Sequence, residues 1–198
     1  MDHFFTINKP AEAEFKDRGS TFIAYAFPIG ISDDFKHHLK ELKKTHPKAA
    51  HHCFAYRIGL DGNNFRVSDD GEPAGTAGKP ILAQIDTRNL TNILVVVVRY
   101  FGGTLLGIPG LINAYRTTTA LALQLTPNIK RQVEITHKLN FAYTNMNEVM
   151  TIIKQFNCTI IHQEMQLFCT ATIGVPKKNL AEVLNAFKQL YEVEVERL

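Results

Sequence analysis

The chain has no tryptophan and only three cysteines among its 198 residues. Cys53, Cys158 and Cys169 stand far apart, and no CxxC pair suggests zinc or thiol redox chemistry. An odd, scattered set fits a reducing compartment better than a disulfide framework. Long apolar runs are missing as well: none approaches the roughly 20 residues that cross a bilayer, and the start MDHFFTINKP has no basic region leading into an apolar stretch. These features predict a cytoplasmic protein without membrane insertion. Charge of one sign is scarce too. The net charge is +3, all of it before residue 131, where 15 Lys and Arg face 12 Asp and Glu; the remainder balances at 7 against 7. So mild an asymmetry does not by itself argue for nucleic acid. Several motifs are also absent: no GxxxxGK[ST], dinucleotide GxGxxG, HExxH, GxSxG or EF-hand loop occurs.

What is present is an ordinary globular composition, 45% hydrophobic and 21% charged. That is enough for one large core or two small ones. Thr21 to Phe27 alternates as a strand. Ser32 is placed to cap a helix with Asp33 and Asp34 in its first turn, the stripe Phe35, Leu39, Leu42, and Lys43 and Lys44 in its last; Pro47 stops it. His52 to Ile58 and Asn64 to Ser68 form a hairpin around Asp61-Gly62-Asn63, and Leu94 to Val98 suits a central strand buried on both faces. Pro80 opens a short helix with Ile81, Leu82 and Ile85 inward. Pro109 opens a longer one with Leu111, Ala114, Tyr115, Thr118, Ala122 and Leu125 on one face.

Thr126-Pro127-Asn128 reads as a domain boundary, giving domains of 1–127 and 131–198. Beyond it come a strand from Val133 to Leu139 and a helix capped by Asn145 with Glu148 three residues on. A hairpin of 159–163 and 166–173 follows, its second strand alternating Leu167, Cys169, Ala171 and Ile173. A helix opened by Pro176 and a strand at Val193 and Val195 complete the pattern. The order βαββαβ is that of a ferredoxin-like domain.

Two loops concentrate the chemistry, SDDGEPAGTAGKP at 68–80 and RYFGGTLLGIPG at 99–110. In the second, Arg99 offers a bidentate donor, and Gly102 and Gly103 let backbone approach a partner at a helix start. Tyr100 adds an aromatic face. In the first, Asp69, Asp70 and Glu72 crowd three carboxylates that need a partner: an arginine, a cation or water. Mg²⁺ or Mn²⁺ would suit such oxygens, and His51 and His52 would extend the set for a softer metal. Equally, Arg99 pairs with one of the acids in a structural ion pair. Lys79 ends the first loop. Cys53 reads as core rather than nucleophile: His52 points to the opposite face of the strand, and although His51 shares the face of Cys53, a cysteine followed by Phe54 is more often core than catalyst. These loops supply the candidate binding residues; no catalytic residue, metal ligand or cofactor is assigned.

With HHCFAYRIG at 51–59, SDDGEPAGTAGKPIL at 68–82 and VVVVRYFGGTLLGIPGLINAY at 95–115 in view, the chain resembles the YigZ/Impact family. The resemblance implies an α+β protein. Its N-terminal α/β domain is similar to the second domain of a small-subunit ribosomal protein and to the fourth domain of elongation factor G. A ferredoxin-like βαββαβ domain similar to that factor's fifth domain follows. Eukaryotic relatives bind a large ribosome-associated activator and so restrain a starvation-responsive kinase, which hints at translation. Two departures bear on the site. Ile108-Pro109-Gly110 replaces a glycine pair before the helix, and Asn113 stands where the family usually has arginine. The expectation is a translation-associated regulatory or binding protein that contacts ribosome, RNA or a partner protein through the two loops. The alternative is a divalent-metal-dependent hydrolase or phosphoryl-transfer enzyme using Asp69, Asp70 and Glu72.

Overall fold

A computed structural model describes residues 2–31 and 33–198 and divides the chain into two compact units, Phe4–Arg131 and Gln132–Leu198, the second joined by the first residues up to His3. The larger unit is built on a five-stranded antiparallel sheet in the order β2-β3-β6-β4-β5. These strands are β2 (Ala11–Asp17), β3 (Ser20–Pro28), β4 (His51–Ile58), β5 (Asn64–Ser68) and β6 (Ile93–Tyr100). Strand β6 lies at the centre, and its run of β-branched residues is buried on both faces, as a strand covered by helices on each side requires. Helices α2 (Gly78–Thr87) and α3 (Gly107–Gln124) cover one face, over a core that includes Phe22, Cys53, Ile81, Ile85, Val97 and Tyr115. Helix α1 (Asp34–Thr45) covers the other, where Phe35 and Leu42 pack with Phe54, Tyr56, Leu94 and Val96. A short strand β1 (His3–Thr6) pairs with β7 (Ile129–Gln132).

The smaller unit has a four-stranded antiparallel sheet ordered β11-β8-β10-β9, from β8 (Glu134–Ala142), β9 (Thr159–Glu164), β10 (Phe168–Pro176) and β11 (Val193–Arg197). Helices α4 (Met146–Gln155) and α5 (Leu180–Lys188) pack on one face over Leu139, Phe141, Cys169, Ile173, Val183 and Phe187. In sequence this is βαββαβ, with the last strand beside the first and the second strand at the far edge. That is the ferredoxin-like arrangement.

Several local expectations change. The Ser32 cap lies outside the described residues. At the start of α1, Asp34 reaches back so that its Oδ2 accepts the Gly30 and Ile31 N–H groups at 2.8 and 3.1 Å. Those two bonds hold its carboxyl below the ordinary range. Helix α2 begins at Gly78, with Pro80 in its first turn. Leu125 is exposed, because α3 ends at Gln124 and Leu125 lies beyond its last turn. Leu167 is likewise exposed, since it lies in the bend before β10 starts at Phe168. Strands β1, β2 and β7 have no counterpart in the sequence reading.

Candidate functional site

The two loops meet through the register of the central sheet. Arg99 lies opposite His51 on one side and Phe22 on the other, so three side chains stand together on the α2/α3 face. The 68–80 loop then brings Glu72 to the same place. Arg99 Nη1 donates to Glu72 Oε1 at 2.6 Å, and the two side chains are almost completely buried. Tyr115 of α3 donates its hydroxyl to the same oxygen at 2.7 Å. Cys53 Sγ sits 3.0 Å from the Asp69 carbonyl and 3.3 Å from the Tyr115 oxygen. His51 Nδ1 is 2.8 Å from the Asp70 carbonyl. A carbonyl only accepts, so Nδ1 carries the proton. That leaves Nε2 3.9 Å from Glu72 Oε1. The guanidinium lies over the rings of Phe22 and Phe101, at 5.4 and 5.6 Å, within reach of the attraction between a cation and an aromatic face. Its Nη2 is 3.5 Å from Ser20 Oγ, while Nε is buried without a hydrogen-bond partner among the described residues.

The remaining acids do different work. Asp69 turns into the start of α2: Oδ1 accepts the Ala77 and Gly78 N–H groups at 3.0 and 2.8 Å, and Oδ2 accepts Gly75 N–H at 2.8 Å. Burial pushes the Asp69 carboxyl up, but these donors, with Lys79 nearby, outweigh it and hold the group below its ordinary value. Asp70 takes a left-handed backbone, φ 44°, in a region that side chains other than glycine seldom enter. The bend turns its Oδ2 onto the His52 backbone N–H at 2.7 Å. The three carboxylates therefore face three separate partners. They do not converge as the oxygen cluster that the metal-dependent enzyme reading requires, and no group of three ligating side chains exists among the described residues.

The other candidates divide between the two faces of the sheet. The His52 ring points to the α1 face, where burial holds it below its ordinary pKa and Nε2 has no hydrogen-bond partner among the described residues. Tyr100 also turns that way and its hydroxyl lies 2.8 Å from His46 Nδ1. Gly102 packs against Gly19 in the β2–β3 turn, Gly103 faces open space, and Lys79 is exposed on α2. Burial is the chief reason the Cys53 thiol is pushed far above its ordinary range, the environment of a core cysteine held as the neutral thiol.

Beside the Glu72–Arg99 pair opens a cleft of about 480 Å³. Its walls are apolar, from Pro73, Phe101, Leu105, Leu106, Ile108 and Leu111, and its polar floor is His51, Glu72 and Arg99. Leu105 is 82% exposed, and Phe101 and Ile108 are more than half exposed. Sequence reasoning missed Tyr115 as a partner of Glu72, although a tyrosine on the inward face of a helix must find an acceptor for its hydroxyl. It also missed the leucines of the second loop, which glycine-centred reasoning treats as spacers.

An α+β chain of two units, with a buried arginine–glutamate pair beneath an apolar cleft, is the class these features define. The family model described as the Impact N-terminal domain matches residues 18–123, which holds every residue of the cleft. The chain is 34% identical over 169 residues to the IMPACT family member YigZ of Escherichia coli, covering 84% of this chain and 81% of that protein. It is 38% identical over 100 residues to Protein IMPACT of Rattus norvegicus, covering 48% of this chain but 31% of that one. A crystal structure of a hypothetical protein superposes with a TM-score of 0.76 at 30% identity, covering 100% of this chain and 98% of its own. The chain belongs to the Impact family.

Proposed function

We propose that this protein is a translation-associated binding protein of the cytoplasm whose larger unit engages a ribosome-associated partner protein through the cleft between the 68–80 and 99–110 loops. The observation that carries the reading is the pairing of Arg99 with Glu72 under exposed apolar walls. A guanidinium already neutralised by a buried carboxylate is a poor anchor for an RNA phosphate. Leu105 and Ile108, held out in solvent beside a concave apolar surface, suit burial against another protein's side chains. The translation setting comes from the family, whose eukaryotic members are implied to act on a ribosome-associated activator. Nothing favours the hydrolase reading, because its three acids are each committed elsewhere.

Co-sedimentation with ribosomes over a salt series tests this. Binding through apolar contacts persists at high salt, whereas phosphate contacts weaken steeply as counterions return. The expected result is salt-resistant co-sedimentation, lost in a Leu105→Asp, Ile108→Asp double variant. No co-sedimentation at any ionic strength, or binding that vanishes with salt and ignores the double variant, overturns the reading.

A further inference from the structure

The sheet of the smaller unit carries its helices on one face only. Alternation turns Leu139, Phe141, Cys169, Ala171, Val193 and Val195 toward those helices, so the residues between them look the other way. Followed across the strand pairs, one row of the open face is Glu194, Asn140, Thr170 and Glu164, an acid at each end. The next row toward the sheet's end contains Ala142 and Phe168.

At that end three chain segments are tied together. Tyr143 N–H donates to the Leu167 carbonyl at 3.3 Å, and the Asn145 side-chain amide donates to the Tyr191 carbonyl. Yet their large side chains are left out: Leu167 is 80% exposed, Phe168 78% and Tyr191 83%. A groove of about 790 Å³ lies here, lined among others by Asn140, Leu167, Phe168, Thr170, Glu192 and Glu194, and among the described residues no lysine, arginine or histidine lines it.

We propose that this groove docks a segment of another protein that carries lysine or arginine beside apolar side chains. The apolar side chains seat against Leu167 and Phe168, and the cations lie over Glu192 and Glu194. Exposed aromatics on an open sheet face are also what a single-stranded RNA stacks on, but here the phosphates would run along carboxylates. A second copy is disfavoured by the same charges, since an isologous contact sets a patch against itself and would bring Glu192 and Glu194 toward their equivalents. Charge complementarity therefore selects a basic, apolar peptide segment.

The test uses the full chain, isotopically labelled, in amide chemical-shift titrations. The probes are a short peptide alternating arginine and leucine, its glutamate–leucine counterpart, and a short single-stranded RNA. The basic peptide is expected to shift the amides of Asn140, Phe168, Thr170 and Glu194, with no such shifts from the other two. Reversing Glu192→Lys and Glu194→Lys together should weaken it about tenfold at low salt. Phe168→Ser, at an exposed position that leaves the spectrum otherwise intact, should weaken it as well. Shifts at these amides from RNA or the acidic peptide would overturn the proposal. So would shifts that grow with protein concentration alone, basic-peptide shifts confined to other surfaces, or variants that bind unchanged.

Discussion

Glu72 and Arg99 each lose most of their hydration when the larger unit folds, and their worth to one another depends on both being there. Removing one partner strands a buried charge, at a cost of about 3–5 kcal/mol, whereas replacing both with uncharged groups of similar size costs far less. Urea unfolding of Glu72→Gln, Arg99→Met and the double variant should therefore show the double well short of the sum, by at least about 1 kcal/mol. Strict additivity would mean that the pair is not coupled. Asp69 offers a second test, through pH. Its folded carboxyl lies below the ordinary value. Its contribution is therefore present above the unfolded pKa of about 4 and is lost as pH falls through the folded one. The side chain answers three N–H donors. Asp69→Asn keeps the size but not the charge, and should cost about 1–2 kcal/mol at neutral pH, because a charged acceptor binds N–H donors more strongly than a neutral one and the amide NH2 cannot accept at all. That gap should close as urea curves are taken from neutral pH down below about 4. A gap of constant size would put the effect on shape rather than charge.

At the scale of elements, the turn between β2 and β3 explains why the second loop needs glycine where it does. A Cβ on Gly102 would overlap the Gly19 carbonyl, and Gly19 has a left-handed backbone at φ 81°. Only glycine enters that region without a steric cost. Gly102→Ala should therefore cost about 1–3 kcal/mol, as overpacking against backbone does, and lower the melting temperature. Gly30→Ala, whose nearest neighbour is a side-chain oxygen 4.0 Å away, serves as control. Equal melting points for the two variants would remove the packing argument. The same turn shows where sequence reasoning stopped. β6 was legible because Leu94 to Val98 is apolar throughout, and α1 because Phe35, Leu39 and Leu42 recur at helical spacing. β2, by contrast, reads AEAEFKD: its alternation is genuine, but charged residues on the open side hide a half-buried edge strand. The pairing of Arg99 with one of the acids is one of two readings that the sequence leaves open. Which acid it would be was not legible, because it depends on the left-handed bend at Asp70 that sends Asp70 and Glu72 different ways. The cleft walls escaped because exposed leucines carry no periodic signal.

Across the whole molecule, apolar burial falls into separate sets. Val97 and Ile81 belong to the core of the larger unit, and Leu139, Val183 and Phe187 to that of the smaller. Each unit closes its own sheet, so each has its own source of cooperativity, and unfolding need not be a single two-state event. The expected result in calorimetry is two transitions, each sensitive to substitutions in one core only. Phe187→Ala leaves a cavity worth about 3–5 kcal/mol in the smaller unit, and Ile81→Ala one worth about 2–5 kcal/mol in the larger. Each variant should pull one transition down and leave the other near its original temperature. The units are of moderate size, so losses this large move a melting point by many degrees and the assignment is unambiguous. A single transition displaced alike by both substitutions would show that the two cores unfold as one. The groove at Leu167 and Phe168 would then report on the stability of the entire chain, not of the smaller unit alone.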